Sequence, residues 1–179
     1  MSEFPVIGPR PWMDVGVEIT RVLRRVDPGQ ANRLRAKLEN PRGRCFFTGQ
    51  GRSGFVAQMA AMRLMHLGRG AHVVGEATAP AFSTEDTLVV VSGSGGTPTS
   101  VLRAQQAQDL GGAVCCLTAT PGSPIALLSD PCLIVPSAGS MQFAQVLFSQ
   151  VALLVLDGLA LAISGGDTAI SRRNHANLE

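Results

Sequence analysis

The sequence predicts an α/β fold, a doubly wound parallel sheet preceded by a helical arm. Three observations carry that reading. From residue 44 onward, short apolar runs alternate with segments of helical periodicity, the pattern of successive βα units. Two of the strand-to-helix junctions, 49–54 and 92–97, are made of glycines and hydroxyl side chains. The composition suits a buried parallel sheet: of 179 residues, 45% are hydrophobic and 16% charged. A chain of this length fits one domain with a sizeable core.

The elements follow in order. Residues 1–11 are rich in Pro and Gly and read as extended. Trp12 to Val26 carries Val15, Val17, Ile19, Val22 and Leu23 at helical spacing, and Asp27-Pro28-Gly29 breaks it. Ala31 to Leu38 is a second helix, broken by Asn40-Pro41. Residues 1–43 thus form an arm too short for its own core, and residues 44–179 form the domain and its tail. Cys45 to Thr48 is a strand and Ser53 to Leu67 a helix, with Ala57, Ala60 and Ala61 allowing close packing. His72 to Val74 and Leu88 to Val91 are strands. Thr97-Pro98 is a cap followed by Pro at the first helical position, opening a helix to Leu110. Ala113 to Thr118 is a strand, Ser123-Pro124 opens a short helix to Leu128, and Leu133 to Val135 is the last strand. Phe143 to Ile163 is a long apolar helix ended by Gly165-Gly166, and a polar tail follows.

Charge and composition exclude several classes of function. The net charge is +2 and the basic residues are scattered, so no nucleic-acid patch is expected. Aromatic residues make up 4%, with no Tyr, which leaves no platform for stacking bases. Val151 to Ile163 is too short to span a bilayer and carries Asp157. The N-terminus has no charged-then-apolar signal, which points to the cytoplasm. The four cysteines (Cys45, Cys115, Cys116, Cys132) form no C-x-x-C pair and have no His at ligand spacing, so they read as free thiols in a reducing compartment and no metal site is expected.

The two glycine–hydroxyl turns carry the chemistry. Thr87 to Val91 runs into Ser92-Gly93-Ser94-Gly95-Gly96-Thr97 and then a helix. Free N–H groups and the positive end of a helix dipole favour an anion there, and glycines let it approach the backbone. Ser92, Ser94 and Thr97, with Gly93 and Gly95, are the expected phosphate ligands. The plain alternative, strand ending and helix capping, does not require hydroxyls alternating with glycines. Gly51, Arg52 and Ser53 form the second cradle. Arg52 either neutralises ligand charge or makes a subunit contact. One phosphorylated small molecule held between the two turns is the expected ligand.

The run Gly51-Arg52-Ser53-Gly54, the segment Ala61 to Gly68, Val74-Gly75-Glu76, Ser92 to Thr97 and the ending His175-Ala176-Asn177-Leu178-Glu179 resemble the sugar isomerase (SIS) domain, and within it the 6-phospho-3-hexuloisomerases. The resemblance covers roughly residues 44–179. It implies a five-stranded parallel sheet of order 2-1-3-4-5 and a homo-oligomer, usually a tetramer, with no cofactor. It also implies interconversion of D-arabino-hex-3-ulose 6-phosphate and fructose 6-phosphate, in formaldehyde assimilation by the ribulose monophosphate route. A non-catalytic, regulatory sugar-phosphate-binding protein is the alternative.

Moving a carbonyl between C3 and C2 needs a base that lifts a proton from carbon. The family pattern Gly-Ser-Leu-Phe-Glu-Gln reads here Gln145-Val146-Leu147-Phe148-Ser149-Gln150, so Ser149 stands in the place of the glutamate expected to be that base. Glu76, near the carboxyl edge of the sheet, and His175, which the family ending implies reaches a neighbouring subunit's site, are the catalytic candidates. His66 reads as a packed helix residue.

Overall fold

The structure, a computed structural model, describes residues 8–40 and 42–175. Five parallel strands form one sheet: β1 (Cys45–Gly49), β2 (Ala71–Val73), β3 (Thr87–Val91), β4 (Ala113–Thr118) and β5 (Cys132–Ile134). Their order is β2-β1-β3-β4-β5, as expected, and every pair is parallel. The direction of winding reverses between β1 and β3, so the crevice outside their carboxyl ends is the topological switch point.

The period-2 alternation along each strand divides the core. On β1, Cys45 and Phe47 face one side and Phe46 the other. The first face packs against α3 (Arg52–His66), α6 (Val146–Ile163), α1 (Pro11–Leu23) and α2 (Pro28–Leu38), through Val56, Ala60, Phe148 and Ala152 among others. Small residues on α3 let α6 and the sheet approach closely, as the alanines predict. The second face packs against α4 (Pro98–Asp109) and the short α5 (Pro124–Leu127), through Ala104, Ala107 and Ile125. Val22, Leu34 and Leu38 of the arm join the first core.

Some boundaries differ from expectation. Asp27-Pro28-Gly29 opens α2 rather than merely ending α1: the Asp27 carboxylate accepts from the Gln30 N–H at 2.6 Å, with Pro28 in the first turn. The last long helix starts at Val146, not Phe143, because Ala144 turns the chain at φ 51°. The tail is not all irregular: α7 (Ala169–Asn174) docks on the end of α3, where Asn174 Nδ2 donates to the His66 carbonyl at 3.1 Å. Residues 1–7 and 176–179, which include most of the extended segment and the last four residues of the family ending, lie outside the described residues. α6 is long and apolar enough by length and composition to cross a bilayer, but one side of it is core: Leu147, Phe148, Val151, Ala152, Leu156 and Leu159 are buried.

At the amino edge of the sheet, Arg44 and Asp86 tie the starts of β1 and β3 together. The Asp86 carboxylate is 2% exposed and accepts from Arg44 Nη2 at 2.6 Å, Arg44 Nε at 3.0 Å, the Arg44 N–H at 2.8 Å, and both the N–H and hydroxyl of Ser83. This cluster lies at the opposite end of the strands from the glycine–hydroxyl turns.

Candidate active site

The register puts Gly49 beside Val91, so the two turns leave adjacent strands side by side at the carboxyl edge. They meet in one cavity of about 330 Å³, lined by Gln50, Gly51, Arg52 and Ser53 from the first turn, Ser92, Gly93, Ser94 and Thr97 from the second, and Gln145 and Ser149 from α6. The structure therefore brings together every residue expected to bind phosphate except Gly95, which is buried behind the loop.

Gly95 shapes the turn from behind. Its φ is 62°, and a Cβ there would collide with the Ser123 hydroxyl and the Thr118 side chain. The Gly93 carbonyl is pinned by three donors from the end of β4: the Ala119 N–H at 3.0 Å, Thr120 Oγ1 at 3.2 Å and Thr118 Oγ1 at 3.3 Å. With that carbonyl turned toward β4, the loop leaves its hydroxyls on the cavity side. Ser92 is buried, Thr97 half-buried and Ser94 exposed.

Thr97 occupies the cap position of α4, but its hydroxyl makes no capping bond and stands 3.4 Å from Ser92 Oγ. Ser123, by contrast, does cap: its hydroxyl accepts from the Ala126 N–H. The Thr97 hydroxyl is thus available to a ligand, and so are the first N–H groups of α3 and α4, both of which start without a side-chain cap. Gly51, at φ 56°, makes the turn into α3. Two helix N-termini, three hydroxyls of the second turn and Ser53 of the first converge on one space, an arrangement of donors suited to an anion.

The sequence matches the SIS domain over residues 37–162. The chain belongs to the SIS family. It is an isomerase of that family. It is 39% identical over 173 residues to the 3-hexulose-6-phosphate isomerase of Mycobacterium gastri, covering 90% of this chain and 86% of that one. It is 38% identical over 146 residues to the enzyme of the same name from Bacillus subtilis, covering 75% and 79%. A crystal structure of a Methanococcus jannaschii protein, from which a function of 3-hexulose-6-phosphate isomerase was inferred, superposes with a TM-score of 0.84 at 26% identity over 94% of this chain and 99% of that one.

The SIS cradle does not contain the two candidate bases. Glu76 follows β2 and lines a second cavity of about 290 Å³ on the α4 side of the sheet, with Phe46, Phe82, Leu110 and Arg103. Arg103 Nη1 donates to Thr48 Oγ1 at 2.6 Å, at the end of β1. His175 stacks on His66, with ring centroids 5.2 Å apart, at the far end of α3. That helix has 15 residues, so its two ends lie about 22 Å apart. Burial, then His175 and Arg63, hold the His66 imidazole below its ordinary pKa. Within one SIS chain, His175 and the cradle are apart.

Ser149 does line the cradle, but its hydroxyl donates to the Gln145 carbonyl one turn back at 3.0 Å. Sequence reasoning passed over two residues that matter here. Gln145 reaches the cavity only because of how the chain enters α6. Glu18 of α1, 4% exposed, accepts from the Met141 N–H at 2.9 Å and from Ser140 Oγ and Gln142 Nε2 at 3.1 Å each, fixing the loop before α6. Burial pushes the Glu18 carboxyl up, but these hydrogen bonds and Arg21 outweigh it and hold it below the usual range. A lone Glu on an amphipathic helix gives no sequence signal of a partner more than a hundred residues away.

Proposed function

We propose that this chain interconverts D-arabino-hex-3-ulose 6-phosphate and fructose 6-phosphate, with the phosphate held by Ser92, Ser94, Thr97, Ser53 and the N-termini of α3 and α4. The observation that carries this is the uncapped, converging set of hydroxyls and N–H groups at the switch point. The names of the curated relatives support the choice of substrate. The free thiols fit the cytoplasm, and the reaction fits formaldehyde assimilation by the ribulose monophosphate route.

In the forward direction a base removes the proton on C2 of the 3-ketose. The electron pair forms the C2–C3 double bond of an enediolate, and negative charge develops on the C3 oxygen. A proton is then returned to C3, and the proton of the C2 hydroxyl passes to the C3 oxygen, giving the 2-ketose. Ser149, bonded to its own helix, is not that base. A homo-oligomer supplies it: Glu76, at the same edge of the sheet as the cradle, or His175 presented by a neighbouring copy. Exposed Phe55, Met59 and Met62 on α3 and Leu154 and Leu161 on α6 form the contact surface, and a tetramer is the assembly we expect.

The test couples product formation to detection of fructose 6-phosphate. Wild-type protein turns over the hexulose phosphate. Ser94→Ala weakens binding about tenfold, as loss of a hydrogen bond to a charged group implies. Glu76→Gln or removal of residues 175–179 lowers kcat by about 10²-fold or more, whichever carries the base. Wild-type protein that binds fructose 6-phosphate tightly yet converts nothing would overturn the catalytic reading.

A further inference from the structure

We propose that Gln145 is the residue through which the cradle reads the sugar, as distinct from the phosphate; the inference rests on the sugar-phosphate reading above. Gln145 is the residue before α6 and makes no capping bond with its side chain. Its carboxamide instead lies over Gly93, in the middle of the hydroxyl–glycine turn. A Cβ built on Gly93 would stand 2.7 Å from Gln145 Oε1 and 2.9 Å from its Cδ. Gly93 does not have a positive φ, so its backbone does not require glycine. The room left by the missing side chain is what the Gln145 carboxamide occupies.

Two features aim the carboxamide there. Ala144, immediately before it, is the one non-glycine residue with positive φ among the described residues, at 51°. A side chain disfavours that conformation, and such strain is kept where the surroundings demand it. The loop that leads into Ala144 is anchored by buried Glu18 through Ser140, Met141 and Gln142. The chain thus enters α6 at a fixed angle with Gln145 on the cavity side.

The chemistry separates its role from that of the hydroxyl turn. The dianionic phosphate of a sugar phosphate accepts hydrogen bonds only, and the hydroxyls and helix N–H groups already offer it donors. A carboxamide both donates and accepts, which matches a ketose carbonyl next to a hydroxyl. Ser149, the other polar residue that α6 brings to the cavity, spends its proton on the Gln145 carbonyl.

Calorimetry on the full chain with inorganic phosphate and with fructose 6-phosphate tests this. Gln145→Ala and the apolar, similarly long Gln145→Met should each weaken fructose 6-phosphate about five- to tenfold and leave phosphate within about twofold. Gly93→Ala, which pushes the carboxamide out, should weaken fructose 6-phosphate at least as much, and its loss should not simply add to that of Gln145→Ala. Unchanged fructose 6-phosphate affinity in Gln145→Ala, full affinity in Gln145→Met, or an equal loss for both ligands overturns the assignment. Wild-type protein that binds neither ligand overturns this assignment and the sugar-phosphate reading together.

Discussion

Cys116 and Cys132 are register partners on β4 and β5, and the Cys116 thiol donates to Cys132 Sγ at 3.3 Å. That bond stabilises the Cys132 thiolate and lowers its pKa against the opposing effect of burial, while the Cys116 thiol is pushed up. Burial pushes Cys45 and Cys115 up to about 12. The four thiols should therefore react unequally, since the thiolate is the nucleophile. Iodoacetamide near pH 8, followed by peptide mass spectrometry, is expected to label half-buried Cys132 first and to leave Cys45 and Cys115 unmodified until the chain unfolds. Equal labelling of all four in the native state would contradict this. At the same scale, Thr97 shows how one hydroxyl is assigned: the cap position is its own, the capping bond is absent, and the oxygen faces Ser92 instead.

At the scale of elements, the sheet is held at both edges by different means. At its carboxyl edge the end of β4 pins the Gly93 carbonyl. At its amino edge Asp86 joins β1 to β3 through Arg44. Burial raises the Asp86 carboxyl, but the Arg44 and Ser83 hydrogen bonds override it and hold the group well below the usual aspartate range. A depressed folded value means the stabilisation is complete above the ordinary carboxylate pKa, about 4. It is lost as pH falls below that, through the folded value. Asp86→Asn should cost about 1–3 kcal/mol near pH 7, because the amide nitrogen cannot accept the hydrogen bonds that one carboxylate oxygen takes from Arg44 and Ser83. Urea denaturation between pH 3 and 7 checks both parts: the wild type should lose stability toward acid more steeply than the variant. Parallel pH profiles would mean that Asp86 does not carry the acid sensitivity.

For the whole molecule, the unpaired feature is the outer surface of the α3–α6 pair. Phe55, Met59 and Met62 repeat at helical spacing on α3, Leu154 and Leu161 do so on α6, and Arg63 bridges the two helices to Asp157 at 3.8 Å. An apolar stripe on each of two packed helices is the kind of surface that a second copy covers. Light scattering should report an oligomer for the wild type. Met59→Lys together with Met62→Lys should shift it toward the monomer, with helix content by circular dichroism unchanged. A monomeric wild type at micromolar concentration would remove the assembly proposal, and with it the route by which a neighbour's His175 meets the cradle.

By itself the sequence determined the element order, the parallel sheet and the two turns that make the cradle. Those are local properties: apolar runs of strand length, 3.6-residue periodicity, and glycine with hydroxyls where a strand gives way to a helix. It placed α2 too late and left out α7, because a Pro-Gly pair reads equally as a stop or a start and a six-residue polar helix has little periodicity. Only the tertiary structure decided which polar groups share a space. Ser53 and Ser92 meet because β1 and β3 are neighbours at the point where the winding reverses. Gln145 and Ser149 join them because α6 crosses that edge, whereas Glu76 opens onto a different cavity and His175 docks at the wrong end of α3. Residue type follows from the chain, but which residues face one another follows from packing between segments far apart in it, and no local pattern records that.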